Sequence, residues 1–246
     1  MINRTLAPEF KTIEKIDIIQ AEEKKLDNGI SVFSINAGSQ ELTKVELIFK
    51  AGMFYQNRTL LSSTANTLLE NGTTKYNALQ LSENIDYYGS FLELSAGQDF
   101  SSVTLYSLNK YLNESLVYVE DLVKDSVYPQ SEIDIYLANR KQKHLINSQK
   151  VNYLGRRKFS ELLFGETHPY GIDLKNDDFD TVKQQDIIDF YKTHYNSKNC
   201  FIVVSGNFSP NLFNILNQHF GKSDWGNPSS VNKIMPQIKT SNQKRV

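Results

Sequence analysis

The chain has 246 residues, 39% of them hydrophobic, with 27 basic side chains against 28 acidic ones and a net charge of -1. A chain this long buries roughly 70% of its unfolded surface without disulfide staples, and near-neutrality excludes a long-range pull toward nucleic acid or anionic membrane. Cys200 is the only cysteine, which excludes an internal disulfide and a thiolate zinc cluster.

The opening Met1-Ile2-Asn3-Arg4 runs into polar and charged residues with no apolar h-region, so the expected location is cytoplasmic. No run reaches the length of a membrane-spanning helix. From about Lys25 to Ala37 the pattern predicts a hairpin turning at Asp27-Asn28-Gly29. Val45 to Phe49 is a second strand, ended by Ala51-Gly52. Helical periodicity then predicts a helix over Arg58–Leu69, with Asn71-Gly72 as its stop. Ala78 to Tyr88 is a further helix, closed by Gly89.

Phe91 to Ala96 and Phe100 to Ser107 read as antiparallel strands joined at Gly97-Gln98-Asp99. Lys110 to Lys124 is amphipathic. Pro129 opens a long helix reaching about Gln149. Further helices are expected over Tyr153–Phe164 and Lys183–Tyr195. Cys200 to Val204 is a buried strand, and Ser209-Pro210 begins a last helix with Ser209 as its N-cap. The composition turns polar from about Gly221, so residues 1–225 are expected to form one domain and 226–246, with Pro228 and Pro236, a connector. Strands in hairpins rather than in strict alternation with helices predict an α+β fold, a mostly antiparallel sheet with helices layered on one face.

Several segments carry a resemblance when taken in order: Leu26-Asp27-Asn28-Gly29-Ile30, Phe49-Lys50-Ala51-Gly52, Leu68-Leu69-Glu70-Asn71-Gly72-Thr73, Tyr87-Tyr88-Gly89-Ser90-Phe91, Phe164-Gly165-Glu166-Thr167-His168-Pro169-Tyr170-Gly171 and Val203-Val204-Ser205-Gly206-Asn207-Phe208. Together they resemble the N-terminal half of the insulinase / pitrilysin / mitochondrial processing peptidase family, over about Lys25 to Phe220. The resemblance implies a two-repeat α/β half that pairs with a second, similar half to enclose a peptide chamber, with the chain continuing into such a half.

In that family an inverted zinc motif, H-x-x-E-H, sits on the helix matched by 67–71. Two histidines and a distal glutamate hold the metal there, and the motif glutamate activates its water. This sequence departs from the pattern at every ligand. Thr67 and Asn71 stand at the histidine positions, and counting along the chain puts the distal position near Lys143. Zinc needs about three N, O or S ligands, so no metal is expected here. Glu70, the retained motif glutamate, is read as inert without a metal-activated water. The resemblance thus implies a non-catalytic peptidase homologue that binds peptide and completes the chamber of a zinc-bearing partner, which alone would carry zinc. Two rivals stay open: an active zinc endopeptidase with other ligands, and a structural assembly subunit.

The remaining candidates are read as structural. His168 belongs to the His-Pro-Tyr-Gly turn, His144 to a solvated basic face, and His194 and His219 to helix ends, where the dipole favours a charged imidazole. Arg140, Lys141, Lys143, Lys150, Arg156, Arg157 and Lys158 form a basic region across two helices, read as solvated. Tyr87, Tyr88, Phe91, Phe100 and Tyr106 are expected mostly in the core. Peptide capture by strand addition is expected at the sheet edge within Phe91–Ser107.

Overall fold

The computed structural model describes Phe10 and residues 18–227. Most of the expected connector, with Pro228 and Pro236, lies outside the described residues. Six strands form one sheet: β1 (Glu22–Lys25), β2 (Ser31–Asn36), β3 (Leu42–Phe49), β4 (Phe91–Ala96), β5 (Ser101–Leu108) and β6 (Cys200–Gly206). Their spatial order is β1-β2-β6-β3-β5-β4. Only β2 and β6 run parallel; the other neighbours are antiparallel. This is the α+β architecture with a mostly antiparallel sheet that the hairpin pattern predicts.

Alternation fixes which face is covered. Along β3, Val45, Leu47 and Phe49 are fully buried, while Lys44, Glu46 and Ile48 are only half-buried. The buried set continues across the sheet through Val32, Val103, Leu105, Ile202 and Val204. Helices supply the other half of this core: α1 (Leu61–Thr67), α2 (Ala78–Tyr87), α3 (Leu112–Asp125), α4 (Gln130–Asn147), α5 (Val151–Phe164), α6 (Asp178–Thr181), α7 (Gln184–His194) and α8 (Leu212–Leu216). Leu116, Val119 and Val123 of α3, Ile133 of α4, Ile187 of α7 and Leu216 of α8 all join it. Trp225 closes the same cluster, donating its indole Nε1–H to the Phe220 carbonyl at 3.0 Å.

Several elements differ from the sequence reading. β1 extends the hairpin backward to Glu22 and is wholly exposed; a strand spelled Glu-Glu-Lys-Lys has no apolar alternation, and its charges suit an outer edge. The helix expected from Arg58 begins only at Leu61, because Leu60 takes a left-handed conformation (φ 74) at its N-cap. It then tightens into a 3-10 turn over Leu68–Asn71. Gly72 ends it at φ 150, a region open to glycine but strained for other residues. Ser209 is not an N-cap: α8 starts at Leu212 behind Asn211, and Ser209 contributes only its carbonyl to the Leu212 N–H. The expected aromatic core cluster is not found: Tyr87, Phe91 and Phe100 are exposed, and Tyr88 and Tyr106 are only half-buried.

Candidate functional site

The motif region is built from two facing helical stripes. Residues four apart share a helix face. On the α1 unit, Ser63, Thr67 and Asn71 form one such stripe; on α4, Glu132, Tyr136 and Arg140 form another. The stripes pair antiparallel, rung by rung. Arg140 Nη1 donates to Ser63 Oγ at 2.6 Å and to Tyr136 OH at 2.6 Å. Tyr136 OH donates to Thr67 Oγ1 at 3.4 Å, a long bond. Asn71 Nδ2 donates to Glu132 Oε2 at 2.7 Å. The Arg140 guanidinium also lies 5.7 Å from the Tyr136 ring centroid, within cation–π range.

The α4 residue opposite Asn71 is Glu132. Lys143 is exposed and lies eleven residues further along α4, or about 16 Å at 1.5 Å per residue. Counting along the chain does not report which α4 residues face α1, because packing sets that register. Glu132 and Tyr136 were missed by the sequence reading, although the four-residue spacing on both helices carried the signal.

The donor set facing the motif is therefore a hydroxyl, an amide, a phenol and one carboxylate. Zinc prefers imidazole and thiolate nitrogen and sulfur, with carboxylate as a third choice, and these residues do not fit it. Among the described residues no group of three or more His, Cys, Asp or Glu has metal-holding geometry. Glu70 stands beside the ladder and lines a cavity of about 350 Å³ together with Asn71, Leu81, Asp86 and Leu92. Its side chain is exposed overall, yet desolvation raises its carboxyl above the usual range.

The four histidines lie apart from this site. His168 is buried, stacks on Phe164, and accepts the Tyr170 N–H on Nδ1 at 3.1 Å. That fixes the His-Pro-Tyr-Gly turn, as expected. His144 is buried rather than solvated, packed against Phe179 and Tyr153, and burial lowers its pKa. His194 is buried with Nδ1 3.1 Å from the Lys50 carbonyl. His219 is buried with Nδ1 2.8 Å from a Glu120 oxygen and Nε2 3.2 Å from Asn113 Oδ1. The basic region is largely at the surface, with Lys143, Lys150, Arg156 and Lys158 exposed, and several members pair there: Lys141 with Asp180 at 2.6 Å, Arg157 with Asp173, and Lys158 with Glu161.

Sequence and structure comparisons bear on this arrangement. The profile of the peptidase M16 inactive domain matches residues 181–246. The mitochondrial-processing peptidase beta subunit of Rattus norvegicus is 24% identical over 240 residues, covering 94% of this chain and 48% of that protein. An uncharacterized zinc protease of Rickettsia felis is 22% identical over 187 residues, covering 74% and 45%. Among solved structures, a peptidase M16 inactive domain from Pseudomonas fluorescens superposes with a TM-score of 0.80 at 17% identity, covering 89% of this chain and 54% of that one. A protease from Helicobacter pylori follows at 0.76 and 17%, covering 91% and 54%. The chain spans about half the length of the curated relatives it matches.

Proposed function

We propose that this chain, which belongs to the insulinase / pitrilysin / mitochondrial processing peptidase (M16) family, is a non-catalytic member that binds peptide and completes the chamber of a zinc-bearing partner subunit. The observation that carries this reading is the polar ladder at the motif. Thr67 and Asn71 are engaged with Tyr136 and Glu132, so the two histidine positions serve to hold α1 against α4 rather than to ligate. Glu70 then has no metal-bound water to deprotonate.

Two further features support a binding role. Among the described residues β4 is an outermost strand, paired only to β5, and it carries a single charge, Glu93. The opposite edge, β1, is all charge. An extended peptide adds most readily to the less charged edge, through main-chain hydrogen bonds. β5 is paired on both sides, which narrows the capture edge to Phe91–Ala96. For a partner, α5 offers a surface: it has no buried residue, and Val151, Leu154, Phe159 and Leu163 are exposed. A helix with that many bare apolar side chains is a candidate contact for another subunit.

The test is elemental analysis of the purified chain, then co-expression with a zinc-bearing homologue, size-exclusion chromatography and a peptidase assay. The expected result is no stoichiometric zinc in this chain and co-elution with raised activity. About one tightly held zinc per chain would refute the reading. Separate elution, with the homologue fully active alone, would favour an assembly subunit instead.

A further inference from the structure

A cleft of about 300 Å³ lies at the Ala96 end of β4, between the start of α1 and the loop after α5. Leu60, Ile172 and Leu174 give it apolar walls, Ala96 and Gln98 form its rim on the strand side, and Arg140 contributes to its wall. Arg140 is half-buried. Its Nη1 is spent on Ser63 Oγ and Tyr136 OH, both neutral groups. Its Nε and Nη2 have no acceptor among the described residues, and no carboxylate lies within ion-pair distance of it there. The other cations around it differ: Arg58 pairs with Asp186, Lys141 with Asp180 and Arg157 with Asp173. A half-buried guanidinium without an anion is a costly arrangement, because low dielectric penalises an uncompensated charge. It is also pre-organised, since two hydrogen bonds hold one side of the planar fork while the other is free for bidentate recognition.

We propose that this cleft receives a carboxylate of an extended peptide paired to the free edge of β4, with the Arg140 guanidinium as its counter-ion. The proposal rests on the peptide-binding reading above and adds the chemistry that selects the peptide. The two are continuous in space, because the strand that would template the peptide backbone ends in the residues that line the cleft. Charge complementarity sets the occupant: the walls accept aliphatic surface, and the one charged group in the lining is cationic. An aspartate or glutamate side chain meets this demand in either strand direction. A C-terminal carboxylate meets it only when the peptide runs parallel to β4.

The experiment measures fluorescence anisotropy with labelled Thr/Val-alternating decapeptides against the full chain. One carries a single glutamate and an amidated end, a second has glutamine in its place, and a third is that glutamine peptide with a free C-terminal acid. The glutamate peptide, the free-acid peptide or both are expected to bind about 10-fold tighter than the neutral one, as a charge-assisted bond implies. The pair of acidic arms tells side chain from C-terminus. The preference is expected to vanish in Arg140→Gln. Because Arg140 also belongs to the ladder, Gln98→Glu is run beside it; Gln98 is exposed at the rim, and a carboxylate there competes with the ligand and should cut the preference. Equal affinity for all three peptides overturns the carboxylate proposal and leaves peptide binding standing. A preference that survives both substitutions overturns it as well. Failure of every peptide to bind overturns both readings.

Discussion

The ladder register makes a demanding prediction about what a zinc site in this chain would need. Thr67→His together with Asn71→His rewrites the motif helix as His-Leu-Leu-Glu-His, with the second histidine opposite Glu132 instead of Lys143. Without metal the double variant gives up the 2.7 Å bond between Asn71 and the Glu132 carboxylate. Hydrogen bonds to charged groups contribute about 1.5–3 kcal/mol, so the apo variant should be less stable than the parent by about that much. Zinc at about 100 times its dissociation constant returns about 2.7 kcal/mol. In a chain of this size about 1 kcal/mol moves the melting temperature by roughly 2–4 °C, so zinc should raise it by about 5–10 °C. Scanning calorimetry with zinc and with chelator measures the shift. Adding Glu132→Ala to the double variant should abolish the response, while adding Lys143→Ala should leave it. No zinc response in the double variant, or a response lost with Lys143→Ala and kept with Glu132→Ala, would refute the register. A comparable response in the parent chain would refute the non-catalytic reading itself.

Other outcomes follow from single groups. Gly72→Val places a β-branched residue at φ 150 and should cost on the order of 1–2 kcal/mol, read as a lower urea midpoint; an unchanged midpoint would show that the 3-10 turn tolerates another exit. Burial pushes the Cys200 thiol well above its ordinary value, so a thiol reagent at pH 8 should label the folded chain far more slowly than the unfolded one. Burial alone would raise the Glu120 carboxyl, yet hydrogen bonds from His219 and Lys124 outweigh it and hold it below its ordinary 4.5. The stabilisation from that depressed carboxyl is complete above pH 4.5 and is lost as pH falls through the lower folded value. Glu120→Gln should therefore cost more in urea melts at pH 7 than at pH 3, and an equal cost at both would remove the linkage. In a double-mutant cycle, Asn71→Ala and Glu132→Ala should be non-additive by about 1 kcal/mol or more; strict additivity would mean that the rung contributes nothing.

Legibility in the sequence followed the strength of the apolar pattern. β3 and β6 alternate or run apolar through residues such as Val45, Leu47, Ile202 and Val204, and both were visible. The turn of the β1–β2 hairpin was visible too, but the reach of β1 back to Glu22 was not, because Glu-Glu-Lys-Lys buries nothing. The helix at the motif was visible but drawn too long. Its core positions extend back to Leu60, while the backbone at Leu60 is left-handed, and side-chain periodicity does not report backbone sign. The exposed aromatics failed for a related reason: Phe91 and Phe100 sit at the rim of a sheet whose second face is only partly covered, and composition does not tell a rim from a core. Within the site, the identities at 67, 70 and 71 were readable at once. Their partners were not, because Glu132, Tyr136 and Arg140 matter through a three-dimensional register.

That register separates two roles a zinc site combines. A metal held by two helices is a ligand for chemistry and also a clamp between the helices that supply its ligands. Here the clamp is present in another form. Ser63, Thr67 and Asn71 reach Arg140, Tyr136 and Glu132 through hydrogen bonds spaced one helical turn apart. The apolar contacts beneath, with Leu68, Leu69, Ile133 and Leu137 buried in one cluster, are independent of those polar groups. The chain can therefore lack metal ligands without losing the packing of α1 on α4, and the sheet edge and cleft beside them keep their positions. The chemistry has no such substitute: Glu70 retains a carboxylate, but nothing within the ladder activates a water for it. On the proposed function, a peptide carried on β4 would then be cut only by groups that another subunit brings to it.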